Sequence, residues 1–160
     1  EMVNREKIRW CADKNRGIRL IEPNSNLSKE YMDNAEETLN ILKIIKGQSN
    51  MWLATTKYYF EYFVVYSLFM RLGIKSEIHE CTIALCSFLE DEGFLKGNIS
   101  DILEKDKKLR IDNQYYLKNI QVDADYDSLL NFMLEIKNII EKMTYDDVKD
   151  IREKIRIILE

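Results

Sequence analysis

The polar run KKLRIDNQYYLKN, residues 107–119, holds the side chains best suited to chemistry in this sequence. Lys107, Lys108, Arg110 and Lys118 surround Tyr115 and Tyr116, with Asp112 and Gln114 between them. Cations interleaved with aromatic faces are what binding a phosphate and stacking a base require. On a helix, Arg110, Asn113 and Gln114 share one face, and Asp112 and Tyr116 another. A helix end whose tyrosines pack inward, with a charged network fixing the turn, accounts for the spacing equally well. The second candidate is His79 in KSEIHECTI, the single histidine of the chain. It suits a general base or a contact to RNA. Its plainer role is an imidazole near a helix N-terminus, where positive charge is disfavoured, hydrogen-bonded to a neighbour.

Other chemistry is excluded or unsupported. No phosphate-binding glycine loop, paired CxxC, HExxH or GxSxG pattern is present. A di-iron bundle needs Glu-x-x-His twice, which one histidine cannot supply. No metal or cofactor is therefore expected. Glu36, Glu37, Asp146 and Asp147 read as solvated helix faces or first-turn carboxylates. With 24 Lys and Arg against 28 Asp and Glu, the net charge of −4 rules out a broadly basic nucleic-acid footprint and leaves room only for a local patch. Cys11, Cys81 and Cys86 form an odd set without metal spacing, which predicts reduced thiols in a cytoplasmic protein. Glu1–Trp10 is charged and lacks the apolar run of a secretory signal. Met51–Leu72 is very apolar, but Lys57, Glu61 and Arg71 interrupt it, so it reads as a buried central helix and no membrane partner is expected.

The elements that must position these residues are helical. One proline and five glycines in 160 residues, with 46% apolar composition, favour one domain of long helices over a turn-rich β chain. A short helix over about 4–15 and an extended arm holding Pro23 make up residues 1–26. The bundle core follows over 27–143, and a C-terminal helix over 144–160. Ser28 is the expected N-cap of the first long helix, with Leu27, Tyr31, Ala35, Leu39 and Leu42 at helical steps and Gly47 ending it. Ser49 or Asn50 caps the apolar helix, which Gly73 ends. Ser76 opens the next, Asn98 or Ser100 the one after, reaching toward Lys118. Leu129–Met143 forms another, and Thr144 caps the last. The expected fold is an all-α, up-and-down antiparallel helical bundle, a four-helix core with extra terminal helices.

Three segments carry a resemblance to a known family. They are LSKEYMDNAEETLNIL (27–42), the tyrosine-rich TTKYYFEYFVVYSLFMRLGIKSEIHECTI (55–83) and LRIDNQYY (109–116). Over most of residues 17–143 the chain resembles the HEPN domain (higher eukaryotes and prokaryotes nucleotide-binding), in its small stand-alone prokaryotic form. The resemblance implies a bundle that dimerises and pairs with a minimal nucleotidyltransferase in a toxin–antitoxin-type module. Active members are metal-independent ribonucleases with an Arg-x4-6-His motif, the arginine stabilising phosphate charge and the histidine moving a proton. Arg110 fits the arginine, but Tyr115 and Tyr116 stand where spacings of four and five residues would put the histidine. Tyrosine, with a pKa near 10, is a poor base, though it donates hydrogen bonds and stacks on bases. A tyrosine two residues past the histidine, modified in some members, falls here at Leu117. Arg71 and His79, with seven residues between them, fall outside that window and are a less apt pair.

These observations and the resemblance predict a non-catalytic or catalytically degenerate HEPN-like module that binds nucleotide, RNA or a nucleotidyltransferase partner. Arg110 and Tyr115 would lie in a cleft at a homodimer seam, with Asp112 and Tyr116 orienting them and Gln114 beside them. The alternatives are a ribonuclease using Arg110 with Tyr115 or His79, and a purely structural homodimer locked by the same cluster.

Overall fold

The computed structural model describes residues 2–160, with side chains from Asn4 onward. In chain order the elements are α1 (Met2–Ala12), β1 (Arg19–Leu20), α2 (Ser25–Ile45), α3 (Asn50–Leu72), β2 (Ile74–Lys75), α4 (His79–Asp91), α5 (Ile99–Gln114), α6 (Tyr126–Lys142) and α7 (Tyr145–Leu159). The fold is an all-α helical bundle, as expected, with one small addition. The arm after α1 pairs with the chain leaving α3 as an antiparallel ribbon, Arg19 opposite Lys75 and Leu20 opposite Ile74.

α3 is apolar on nearly every side and occupies the centre, packed by α2, α5, α6 and α7. Tyr58, Phe60, Leu68 and Phe69 are fully buried along it. Among the described residues no helix is long and apolar enough to cross a membrane. The cap of α2 is Asn24, which accepts from the Leu27 amide at 2.9 Å, not Ser28. Ser28 lies inside the helix, where its hydroxyl donates to the Ser67 carbonyl at 2.7 Å and Ser67 answers with a bond to the Ser28 carbonyl at 2.6 Å. Its small size lets α2 and α3 approach closely. Ser49 caps α3, and Thr144 and Asp147 form a reciprocal capping box on α7.

Two further expectations are corrected. α4 begins at His79 because Ser76 is buried, accepting a hydrogen bond from Thr82 at 3.0 Å, and Ile78 at the cap position has no side chain able to cap. α5 ends at Gln114, short of Lys118, and the chain turns through Leu117 (φ 50) and Asn119 (φ 52). The cysteines also differ from the reduced set expected. α1 lies along α4, and Cys11 and Cys81 form a disulfide whose residues are fully buried. Cys86 projects elsewhere from α4 and stays a free, buried thiol whose pKa burial pushes up.

Gly73 ends α3 with φ 71, beneath the Arg152 guanidinium of α7, which reaches the carbonyls of Ile21, Leu72 and Gly73 at 2.8, 2.9 and 2.8 Å. A Cβ here would collide with Arg152 and approach the Ile21 carbonyl to 2.5 Å. Gly47 also has a positive φ, of 78, but open space around it. Gly47→Ala should therefore cost only the left-handed backbone term, roughly 1–2 kcal/mol. Gly73→Ala should cost about 3 kcal/mol or more, since it also displaces Arg152. Thermal unfolding of the two variants checks this, and equal losses would show that the Arg152 lock contributes nothing.

Candidate functional site

α3 and α5 run in opposite senses against each other. Asn50 donates to Asn119 at 2.9 Å, Tyr58 meets Arg110, and Lys57 meets Asp106. This pairing places Arg110 among aromatic rings. Its guanidinium carbon lies 5.1 Å from the ring centre of Tyr58, 5.7 Å from Tyr59 and 5.8 Å from Tyr115. Nη1 donates to Gln114 at 3.1 Å, one turn on. Arg110 is 8% exposed, and its Nε has no hydrogen-bond partner among the described residues.

The nearby carboxylates are engaged elsewhere. Asp106, one turn back on α5, pairs with Lys57 at 3.3 Å. Asp112 pairs with Lys118 at 3.1 Å. Glu61 is 1% exposed, and burial holds its carboxyl well above the usual carboxylate range, with Asp106 adding to the effect. Burial thus biases Glu61 toward its neutral form and weakens any charge it could offer Arg110. Among the described residues Arg110 has no ion-pair partner, so a nearly buried cation faces only ring faces and one amide. The tyrosine rings recover part of the desolvation cost, and an incoming anion would recover more.

His79 reaches the same rings from the first turn of α4. It stacks on Tyr58 and Tyr62 with centroid distances of 5.5 and 4.6 Å, and its Nδ1 lies 2.6 Å from the Tyr58 hydroxyl. Burial first, then the positive charges of Arg110 and Lys107, hold its pKa below 6.5, so it is neutral at pH 7. The tautomer follows from hydrogen-bond supply. Tyr58 is fully buried, burial raises the pKa of its phenol, and His79 is the one partner its hydroxyl has among the described residues. A buried O–H must donate, so Nδ1 accepts and the imidazole proton sits on Nε2. His79 thus presents an N–H donor to any ligand rather than a basic lone pair.

The loop beyond α5 is fixed from within. The Asn113 side chain accepts from the Ile120 amide at 2.7 Å and donates to the Leu109 carbonyl at 3.0 Å. The loop exposes Tyr115 and Tyr116 by 65% and 67%, enough of each ring to stack on a ligand. On its far side a cleft of about 630 Å³ is lined by the amides of Gln48, Asn50, Asn119 and Gln121.

Of the residues expected from the sequence, Arg110, Gln114 and Tyr115 come together, and His79 joins them through Tyr58. Asp112 and Tyr116 stand apart from this group, both in the company of Lys118. Arg71 is committed elsewhere, donating to the Met143 carbonyl at 3.1 Å. No cluster of three or more metal-ligating side chains exists among the described residues. The sequence reading missed Tyr58, Tyr59 and Tyr62, which it took as core. The signal was available, because phenols at positions i and i+4 of a buried helix each require a polar partner.

The His79 shift sets a pH dependence. Its pKa is lower folded than unfolded, so the unfolded chain binds more protons as pH falls below about 6.5. The stability contribution is complete above that pH and is lost on going down through the folded pKa. His79→Gln should flatten this limb of the stability curve, and Arg110→Ala should raise the His79 pKa toward 6.5 by removing a neighbouring charge. A pH titration of the one imidazole signal by NMR checks the second point, and a pKa unmoved in Arg110→Ala would refute the coupling. Comparison of the chain with known protein families, with curated proteins and with solved structures finds no match.

Proposed function

We propose that this chain is a HEPN-like helical module that binds the phosphate of a nucleotide or of single-stranded RNA at Arg110. The observation that carries the reading is the state of Arg110, a nearly buried cation with an unpartnered Nε and no carboxylate, ringed by Tyr58, Tyr59 and Tyr115. An anion brought against Arg110 would supply the missing charge, and His79 Nε2–H would add a donor. The exposed face of Tyr115 suits a stacked base, worth roughly 1–3 kcal/mol. The amides beside the loop suit base edges. The same exposed tyrosines would meet a second copy or a nucleotidyltransferase partner, the assemblies that the family resemblance implies.

A metal-independent ribonuclease is the second reading, favoured by the meeting of Arg110 and His79 on one tyrosine ring. It needs the opposite His79 tautomer, which would leave the Tyr58 proton without an acceptor. That requirement supports the binding reading over cleavage.

Arg110→Ala should weaken binding of a fluorescent single-stranded oligoribonucleotide, or of a mononucleotide, at least tenfold, which is about 1.4 kcal/mol. Arg110→Lys should recover only part of it, because an ammonium cannot reproduce the planar fork. Incubation of the RNA with wild-type protein in chelator should leave it intact. Unchanged affinity in Arg110→Ala would sink the binding proposal, and cleavage abolished by His79→Ala would establish the ribonuclease in its place.

A further inference from the structure

The Cys11–Cys81 disulfide takes no part in the reading above, yet Cys81 follows His79 by two positions in the first turn of α4. We propose that this disulfide is a thiol-responsive latch. Closed, it clamps α1 onto α4 and holds His79 in the tyrosine stack; opened, it releases α1 and loosens the His79 turn. The latch stands on this geometry alone, and its effect on ligand binding rests on the reading of Arg110 and His79 as the phosphate site.

The first turn of α4 needs outside support. Its cap residue Ile78 contributes no side-chain hydrogen bond. What holds the turn is the Thr82 hydroxyl on Ser76 at 3.0 Å, the His79–Tyr58 contact, the Lys7–Glu80 ion pair at 2.8 Å and the disulfide. The last two both come from α1. Beyond these links α1 rests on α4 and α7 through a narrow apolar face. At 11 residues it is too short to persist as an isolated helix. Ile8 and Cys11 are its fully buried side chains among those described. Its other polar links, Asn4 to Ser87 at 2.9 Å and to Asp91 at 2.7 Å in α4 and Arg5 to Glu92 just beyond it at 3.3 Å, lie at the partly solvated surface, where such pairs hold little. The covalent bond, closing a separation of 70 residues, is the dominant tie.

The chemistry needs a dithiol reductant. One of its thiolates attacks a sulfur of the pair, breaking the Cys11–Cys81 bond and forming a mixed disulfide. Its second thiol then displaces the protein sulfur. Two electrons and two protons pass to the protein, leaving thiols on Cys11 and Cys81 and an oxidised cyclic disulfide on the reductant. Both cysteines are fully buried, so attack follows local opening of α1. Cys86 is buried with its pKa raised and does not compete as a nucleophile.

The test uses the full chain, oxidised and then treated with dithiothreitol without oxygen. Two reporters stand at the site: the one imidazole, His79, and Trp10, which adjoins Cys11 and is isolated as the only tryptophan in Trp52→Phe. On reduction, far-UV circular dichroism should keep most of its helical signal. Amide exchange in α1 should rise at least tenfold and Trp10 emission should change. The His79 NMR signal should shift, with its pKa moving toward 6.5, and affinity for the oligoribonucleotide should fall at least fivefold. Reoxidation should reverse all of these, and Cys11→Ser should mimic the reduced state and ignore dithiothreitol. A His79 signal identical in oxidised, reduced and Cys11→Ser protein would overturn the latch. So would collapse of the whole helical signal on reduction, which would make the bond a general staple. If the His79 signal responds but Arg110→Ala binds RNA like the wild type, the binding reading fails and the latch stands.

Discussion

A helix of 23 residues that is apolar on nearly all sides has to be covered along its whole length, and the arrangement of this molecule follows from covering α3. α2 and α6 meet it with apolar faces that include the rings of Tyr31 and Phe132, and the close approach of α2 depends on the paired serines Ser28 and Ser67. α5 cannot do the same, because its sequence is strongly polar. Where α5 lies on α3, the contact therefore carries Asp106, Arg110 and Asn113 into the interior against Lys57, Tyr58 and Glu61. The candidate site is the product of this one polar helix being recruited to cover an apolar one.

The electrostatics of that interface are uneven. Its deeper layer balances internally: Lys57 answers Asp106, and burial biases Glu61 toward its neutral form. The layer one turn along does not, because Arg110 has rings around it and no counter-charge. Folding tolerates such a residue only when cation–ring contacts offset part of its desolvation, and the remainder is available to a ligand. His79 completes the layer as a neutral donor, its tautomer dictated by the need of a buried phenol to give up its hydrogen bond.

α1 adds a different kind of constraint. It contributes little buried surface of its own, yet through Cys11 it is tied to the turn that carries His79. The loop after α5 is held just as locally, by Asn113 on one side and Asp112 with Lys118 on the other. The Arg110 patch thus sits between two short segments, each tied down by a few named bonds.

Much of the architecture was legible in the residues themselves. Apolar spacing located α2, α6 and α7, all-round hydrophobicity placed α3 at the centre, and Gly47, Gly73, Ser49 and Thr144 marked boundaries because caps and left-handed turns are local chemistry. Boundaries that depend on burial were not legible: Ser28 and Ser76 have the composition of caps, but tertiary packing uses their hydroxyls inside the core. The cluster around Arg110 was half visible. Its cation–aromatic run is continuous in sequence, whereas Tyr58 and His79 arrive from α3 and α4 and meet it only on folding. The same holds for Cys11 and Cys81, whose union is set by how α1 lies on α4 and by nothing in their spacing. Local periodicity and capping depend on near neighbours in the chain. Pairing of charges, phenols and thiols depends on which surfaces are brought into contact, and only the tertiary structure decides that.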